Sequence, residues 1–175
     1  MLTDYSRLSL HDKALVVSTS MIKTAQEESM KLLNKRFLSR KDIRSGKAII
    51  ELLIFFINLW MLYRSNDEIK KSLYDSILFW TRHWLTHKDG ARMNEKSANN
   101  FFALLEKRSA EYVLFQSENG ANENYNLLLS KKVYSNMIGK EQNDPLPLMH
   151  LWIGIQSYMK FIHIFWEQIK PSEQE

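Results

Sequence analysis

Ala48–Tyr63 reads AIIELLIFFINLWMLY. Fourteen of these sixteen residues are apolar or aromatic, and the two exceptions, Glu51 and Asn58, stand seven apart. On a helix that spacing puts them near one face, so the stretch predicts a helix in contact with protein on most sides. A membrane span needs about 20 predominantly apolar residues. This run is shorter, carries an acid and an amide, and stops at Arg64-Ser65-Asn66-Asp67-Glu68. It therefore predicts a buried organising helix and no transmembrane segment. A carboxylate in such a helix must find a basic partner, accept hydrogen bonds or carry a raised pKa. Glu51 and Asn58 are accordingly the candidate ligand-binding residues of any pocket in the fold.

Outward from that helix, the pattern is helical throughout. Leu10, Ala14, Val17, Met21, Ala25, Leu32 and Phe37 follow one stripe, which predicts a first helix over about 10–37 with Ser9-Leu10-His11-Asp12 as its capping box. Met1–Leu8 is expected to be a loose arm. Ser39-Arg40-Lys41-Asp42 repeats the capping arrangement. Either the central helix starts near Arg40 and runs through Gly46, or Ile43–Gly46 is a joint before it; a continuous helix bent at Gly46 is the expectation, since an interior glycine costs only about 1 kcal/mol. Ser65-Asn66-Asp67-Glu68 is a further capping box. The short connection makes the central helix and the next one, about 66–86, expected antiparallel neighbours. In that third helix Ile69, Leu73, Ile77, Trp80 and Trp84 are the expected core stripe.

Helix four is expected over about 94–115, with Ala98, Phe101, Leu105 and Tyr112 inward. Gln116–Asn124, with Gly120 and three Asn, is a loop. Helix five covers Tyr125–Ile138, with Leu128, Val133 and Met137 inward and Gly139 as its C-terminal cap. Asp144-Pro145 resembles a cap and first position for helix six, a role Pro147 could equally fill; in that helix Leu148, Leu151, Trp152, Ile155, Met159, Ile162, Trp166 and Ile169 form a broad apolar face and Gly154 permits a close crossing. The fold class is therefore all-α: a single domain over residues 1–175, of about six helices around a central hydrophobic one, with a short N-terminal arm and a C-terminal tail. A chain of 175 residues with 45% apolar and 25% charged content supports one sizeable core.

Composition narrows the chemistry. There is no cysteine, so disulfides and thiolate chemistry are excluded. The start MLTDYSRLSLHDK has no apolar signal-peptide core, and a cytoplasmic location is the expectation. His83 and His87 have the four-residue spacing of half a zinc motif, but the intervening Glu of HExxH is missing. No Glu-x-x-His of a di-iron bundle occurs. His163 and Glu167 can meet on one helical face, yet no nucleophile is identifiable. No catalytic residue, metal ligand or cofactor is therefore assigned, and phosphate-loop and dinucleotide glycine motifs are absent.

The +4 net charge is concentrated. Lys23–Lys47 holds eight basic and three acidic residues, a net +5, leaving −1 for the remainder. Lys35, Arg36, Arg40, Lys41, Arg44 and Lys47 are the candidate anion-binding residues, able to hold phosphates or an acidic surface if they converge. All five Trp fall in the second, third and sixth helices, and this aromatic excess suggests a surface for a second copy or another helix. The leading expectation is a non-enzymatic helical interaction or regulatory module, self-associating or docking a protein partner. The alternatives are nucleic-acid-backbone or anionic-surface binding through Lys35–Lys47, and a ligand-binding or enzymatic bundle with a pocket near Glu51.

Overall fold

A computed structural model describes residues 5–40, 46–62, 68–87, 91, 93–141 and 143–169; of residues 61, 62, 68–70 and 169 only the backbone course is described. Six helices form the described fold: α1 (Leu10–Asn34), α2 (Lys47–Leu62), α3 (Glu68–Thr86), α4 (Glu95–Asn119), α5 (Tyr125–Ile138) and α6 (Pro145–Ile169). The class is all-α, as the periodicity predicts. No helix among the described residues is long and apolar enough to cross a membrane.

α2 is the axis. Every residue from Glu51 to Trp60 is buried. α1 and α5 pack along it, and α4 reaches it through Phe55 and Tyr112, whose rings meet edge to face at 5.4 Å. α6 closes the remaining side: Tyr158 lies 4.4 Å from Phe56 between ring centroids, and its hydroxyl accepts a 3.0 Å hydrogen bond from the Trp60 indole. That bond gives two large buried residues a partner for their polar ends. α3 takes α1 as its main neighbour and α4 as its next, in place of the expected direct pairing with α2. Ser18 explains the close approach: its small side chain lets the α3 backbone near enough for its hydroxyl to donate to the Ile77 carbonyl at 3.4 Å. The capping box at 65–68 lies outside the fully described residues.

Four local features depart from the sequence reading. α1 ends at Asn34 because Arg36 adopts φ +62°, in the left-handed region. The Arg36 N–H then bonds the Leu33 carbonyl and the Phe37 N–H the Leu32 carbonyl, both at 2.8 Å, the two bonds of a Schellman motif. Gly46 has φ +69°, so no helix runs through it and α2 begins at Lys47. α4 continues through Asn119, four residues beyond Phe115; the Ser117 hydroxyl and the Asn119 amide donate back to the Leu114 and Phe115 carbonyls. On α3 the buried stripe is Leu73, Ile77, Thr81 and Leu85, with Trp80 and Trp84 half-buried at its edge.

The arm is tied down from Tyr5 onward. Its N–H donates to Gln168 Oε1 at 3.2 Å and its ring lies 5.0 Å from Phe165; residues 1–4 and the tail from 170 lie outside the described residues. Elsewhere the caps form as expected. Ser9 Oγ accepts from the Asp12 N–H at 3.1 Å, Asp144 Oδ1 accepts from the Leu146 N–H at 3.0 Å, and Gly139 ends α5 at φ +75°.

Candidate functional site

Glu51 sits on the most apolar helix with a side chain only 3% exposed. Its charge is met by Arg108 on α4, which approaches as a fork: Nε donates to Oε2 at 2.9 Å and Nη2 to Oε1 at 2.8 Å. Two parallel charge-assisted bonds fix both the distance and the plane of the guanidinium. The other edge of Arg108 holds Glu111 on its own helix, with Nη1 at 3.0 and 2.8 Å from the two carboxylate oxygens. Lys132 of α5 completes the chain at 3.1 Å from Glu111. Four charged side chains from three helices thus alternate in sign from the core to the surface.

The network sets the protonation of its members. Hydrogen bonding from Arg108 to Glu51 stabilises its cation more than burial destabilises it, and raises its pKa further. Burial works to raise the Glu111 carboxyl, but hydrogen bonds from Lys132 and Arg108, with their charges, outweigh it and hold the group below its usual range. Burial pushes the neighbouring Tyr112 hydroxyl up despite the bond it accepts from Asn136 at 3.3 Å. Tyr112 is thus a neutral hydroxyl beside the ion pairs.

Arg108 is also a wall of a cleft of about 500 Å³ between the start of α2, the second half of α4 and α5. Lys131 and Lys132 line it from α5 and Lys140 from the turn after it, while Lys47 projects from the first turn of α2. Phe115 and Leu128 provide apolar walls, Ser135 and Asn136 polar ones, and Glu141 is the one acid in the lining. Gly139 brings two of these elements together. A Cβ there would come within 2.5 Å of Lys47 Nζ, so the bare backbone of this left-handed residue makes room for the ammonium.

The four described residues of the sequence-derived patch line three different hollows. Lys47 joins the Arg108 cleft. Arg36 and Arg40 share a shallow hollow with Leu38 at the end of α1. Lys35 faces a narrow crevice with Glu28, Lys31 and His150, between α1 and α6. Lys41 and Arg44 lie outside the described residues. Of the two residues nominated around a pocket, Glu51 stands behind Arg108 and out of the cleft lining, as an anchor. Asn58 is 3% exposed and donates to the Ile54 carbonyl one turn back at 2.8 Å, away from the cleft.

The histidines show stacking geometry. His83 and His87 lie ring on ring at 4.6 Å and 27° between planes, and Trp80 connects His83 to His11. No group of three or more possible metal ligands gathers among the described residues. Arg108, Lys131, Lys132 and Lys140 are the residues that sequence reasoning missed. Arg108 had a signal, since it interrupts the apolar stripe Leu105–Tyr112 at a position one turn from each. The lysines had none, because exposed lysines on a helix are ordinary. The chain matches no protein-family model, no curated protein and no solved structure.

Proposed function

We propose that this chain is a non-enzymatic binding module that receives an anionic group of its partner in the cleft of Arg108, Lys131, Lys132, Lys140 and Lys47. The observation that carries the proposal is the buried Glu51–Arg108 fork. A guanidinium held by the core offers its remaining surface in one fixed orientation, so little side-chain entropy is lost on binding. Lys131 and Lys140, which have no ion-pair partner among the described residues, supply attraction at the rim. The proposal keeps the anion-binding alternative of the sequence but moves its centre from 35–47 to α4 and α5, with Lys47 as the shared residue.

The test is binding of inorganic pyrophosphate and heparin, followed by calorimetry and by thermal shift. Lys131→Glu with Lys140→Glu is expected to abolish binding while leaving the helical circular dichroism unchanged. Undiminished binding by that double variant would overturn the proposal.

A second reading has its own observation. Leu146, Met149 and Ile153 on α6 are each more than half exposed and fall at i, i+3 and i+7, one continuous apolar stripe. Self-association through α6 is the corresponding proposal. Sedimentation should then give a dimer that Met149→Glu with Ile153→Glu converts to a monomer; a wild-type monomer at high concentration would rule it out.

A further inference from the structure

We infer that the outer face of α6, flanked by the cations at the end of α1, docks on an anionic lipid bilayer. This surface is separate from the Arg108 cleft and does not depend on it.

The apolar part belongs to α6. Leu146, Met149 and Ile153 project from it, each more than half exposed. Lys160, also exposed, follows Ile153 by seven residues and so continues the same face. The basic part lies beside it. The Phe37 ring is 5.4 Å from that of His150 on α6, and Lys35 lines one crevice with His150 and Ile153. The chain leaving α1 is thereby held against the flank of the apolar stripe.

Charge on this flank is of one sign. Lys35, Arg36 and Arg40 are exposed, and none of them makes an ion pair with a described residue. Lys31 is set apart from them, because the buried Glu28 holds it at 2.5 Å. No acid occurs between Met149 and Lys160. Glu141 and Asp144 make the start of α6 acidic, with Asp144 engaged in its cap. The bilayer contact therefore centres on Met149–Lys160, with Leu146 at its edge.

Exposed apolar side chains bordered by cations suit an anionic membrane surface: the apolar groups enter the boundary between headgroups and acyl chains, and the cations meet the lipid charges. A second copy suits this face less well. A two-fold contact sets the same patch on both sides, so Lys35, Arg36 and Lys160 would approach another such set with no acid in the stripe to answer them. Shape favours lipid as well. The stripe is a ridge, and the crevice beside it, about 110 Å³, is too small to seat a helix. A fluid bilayer moulds itself to a ridge, whereas a protein partner would have to supply the groove.

The experiment is co-sedimentation of the full chain with vesicles of phosphatidylcholine alone and of phosphatidylcholine with phosphatidylserine. Binding is expected only to the mixed vesicles and should weaken as salt is raised. Met149→Gln with Ile153→Gln should abolish it, and Lys35→Glu with Arg40→Glu should weaken it at least about tenfold; these side chains are exposed, so helical circular dichroism should be unchanged in both. Because the chain has no cysteine, Met149→Cys can carry a single environment-sensitive fluorophore. Its emission should rise and shift to the blue on mixed vesicles, while that of a label at Glu106→Cys, on the exposed side of α4, should not. Lys131→Glu with Lys140→Glu should leave vesicle binding intact, which separates this surface from the cleft. No binding to mixed vesicles, equal binding to both kinds, or binding indifferent to Met149 and Ile153 would each overturn the inference. So would a wild-type dimer that Met149→Gln with Ile153→Gln dissociates and that ignores vesicles, since the occupant would then be a second copy.

Discussion

Glu51 is the residue at which sequence and structure meet. A carboxylate amid Ile, Leu and Phe demands a partner on physical grounds alone, because an isolated buried charge costs several kcal/mol. The sequence could state that demand but not the donor, since Arg108 is 57 positions away. The energetics of such a pair are asymmetric. Glu51→Ala leaves the inner edge of the guanidinium unmatched, with Glu111 still on its outer edge, and is expected to cost about 3 kcal/mol, whereas Glu51→Leu with Arg108→Met removes both charges and should cost less than the single change. Urea denaturation of the three proteins checks this ordering. Glu111, further out, carries a pH signature. Its carboxyl lies below its ordinary 4.5 in the fold, so its ionised form is favoured by folding. That contribution is complete above the unfolded value and is lost as pH falls through the folded one. Glu111→Gln should therefore flatten the loss of stability below about pH 4.5 relative to the unmutated chain, as read from melting temperatures across an acid series.

Among the elements, α5 was legible to the residue: Tyr125–Ile138 has a loop before it and a left-handed glycine after it. The end of α1 was not, for the opposite reason. There the left-handed position is occupied by Arg36, and nothing in an arginine announces that conformation. Gly46 was open to two interpretations, an interior glycine or a stop, and its positive φ decides for the stop. These positions make a matched prediction. A side chain in the left-handed region costs roughly 1–2 kcal/mol, so Arg36→Gly should raise stability by about 1 kcal/mol after the entropy of the more flexible unfolded chain is subtracted. Gly139→Ala should lower it by about 1–2 kcal/mol. It should do so by slightly more than Gly46→Ala, because at 139 the new methyl must also push aside the mobile end of the Lys47 side chain, whereas at 46 it meets Ile50 Cδ1 at an ordinary 3.9 Å. Chemical denaturation of the three variants measures all of this. Helix faces were read less well than helix spans. On α3 the spacing nominated Trp80 and Trp84, but an indole is large enough to reach the core from its edge, and Thr81 and Leu85 take the buried positions.

At the scale of the whole molecule, the central place of α2 followed from its composition, but the arrangement of its neighbours did not. Periodicity says that a helix has an inner face and is silent on which helix that face meets. Only tertiary features such as Ser18 under the α3 backbone settle it. For the same reason the four described residues of one basic run line three different hollows, while Lys47, Arg108 and Lys140, far apart in sequence, line one. The burial pattern predicts a gradient of local stability. Amides of Ile54–Trp60 should exchange with deuterium only through global unfolding, whereas those of Val113–Asn119, on the exposed end of α4, should exchange by local opening. Mass-spectrometric exchange at several denaturant concentrations distinguishes the two regimes.

The bond between Tyr5 and Gln168 has a consequence for anything attached to this fold. It brings the entry and exit of the helical body to one corner, beside Phe165. A segment fused ahead of Tyr5 and another fused after Gln168 would leave the body side by side, whatever their lengths. Cargo on either terminus would share one neighbourhood, and the charged cleft, built from elements in the interior of the chain, is formed without either end.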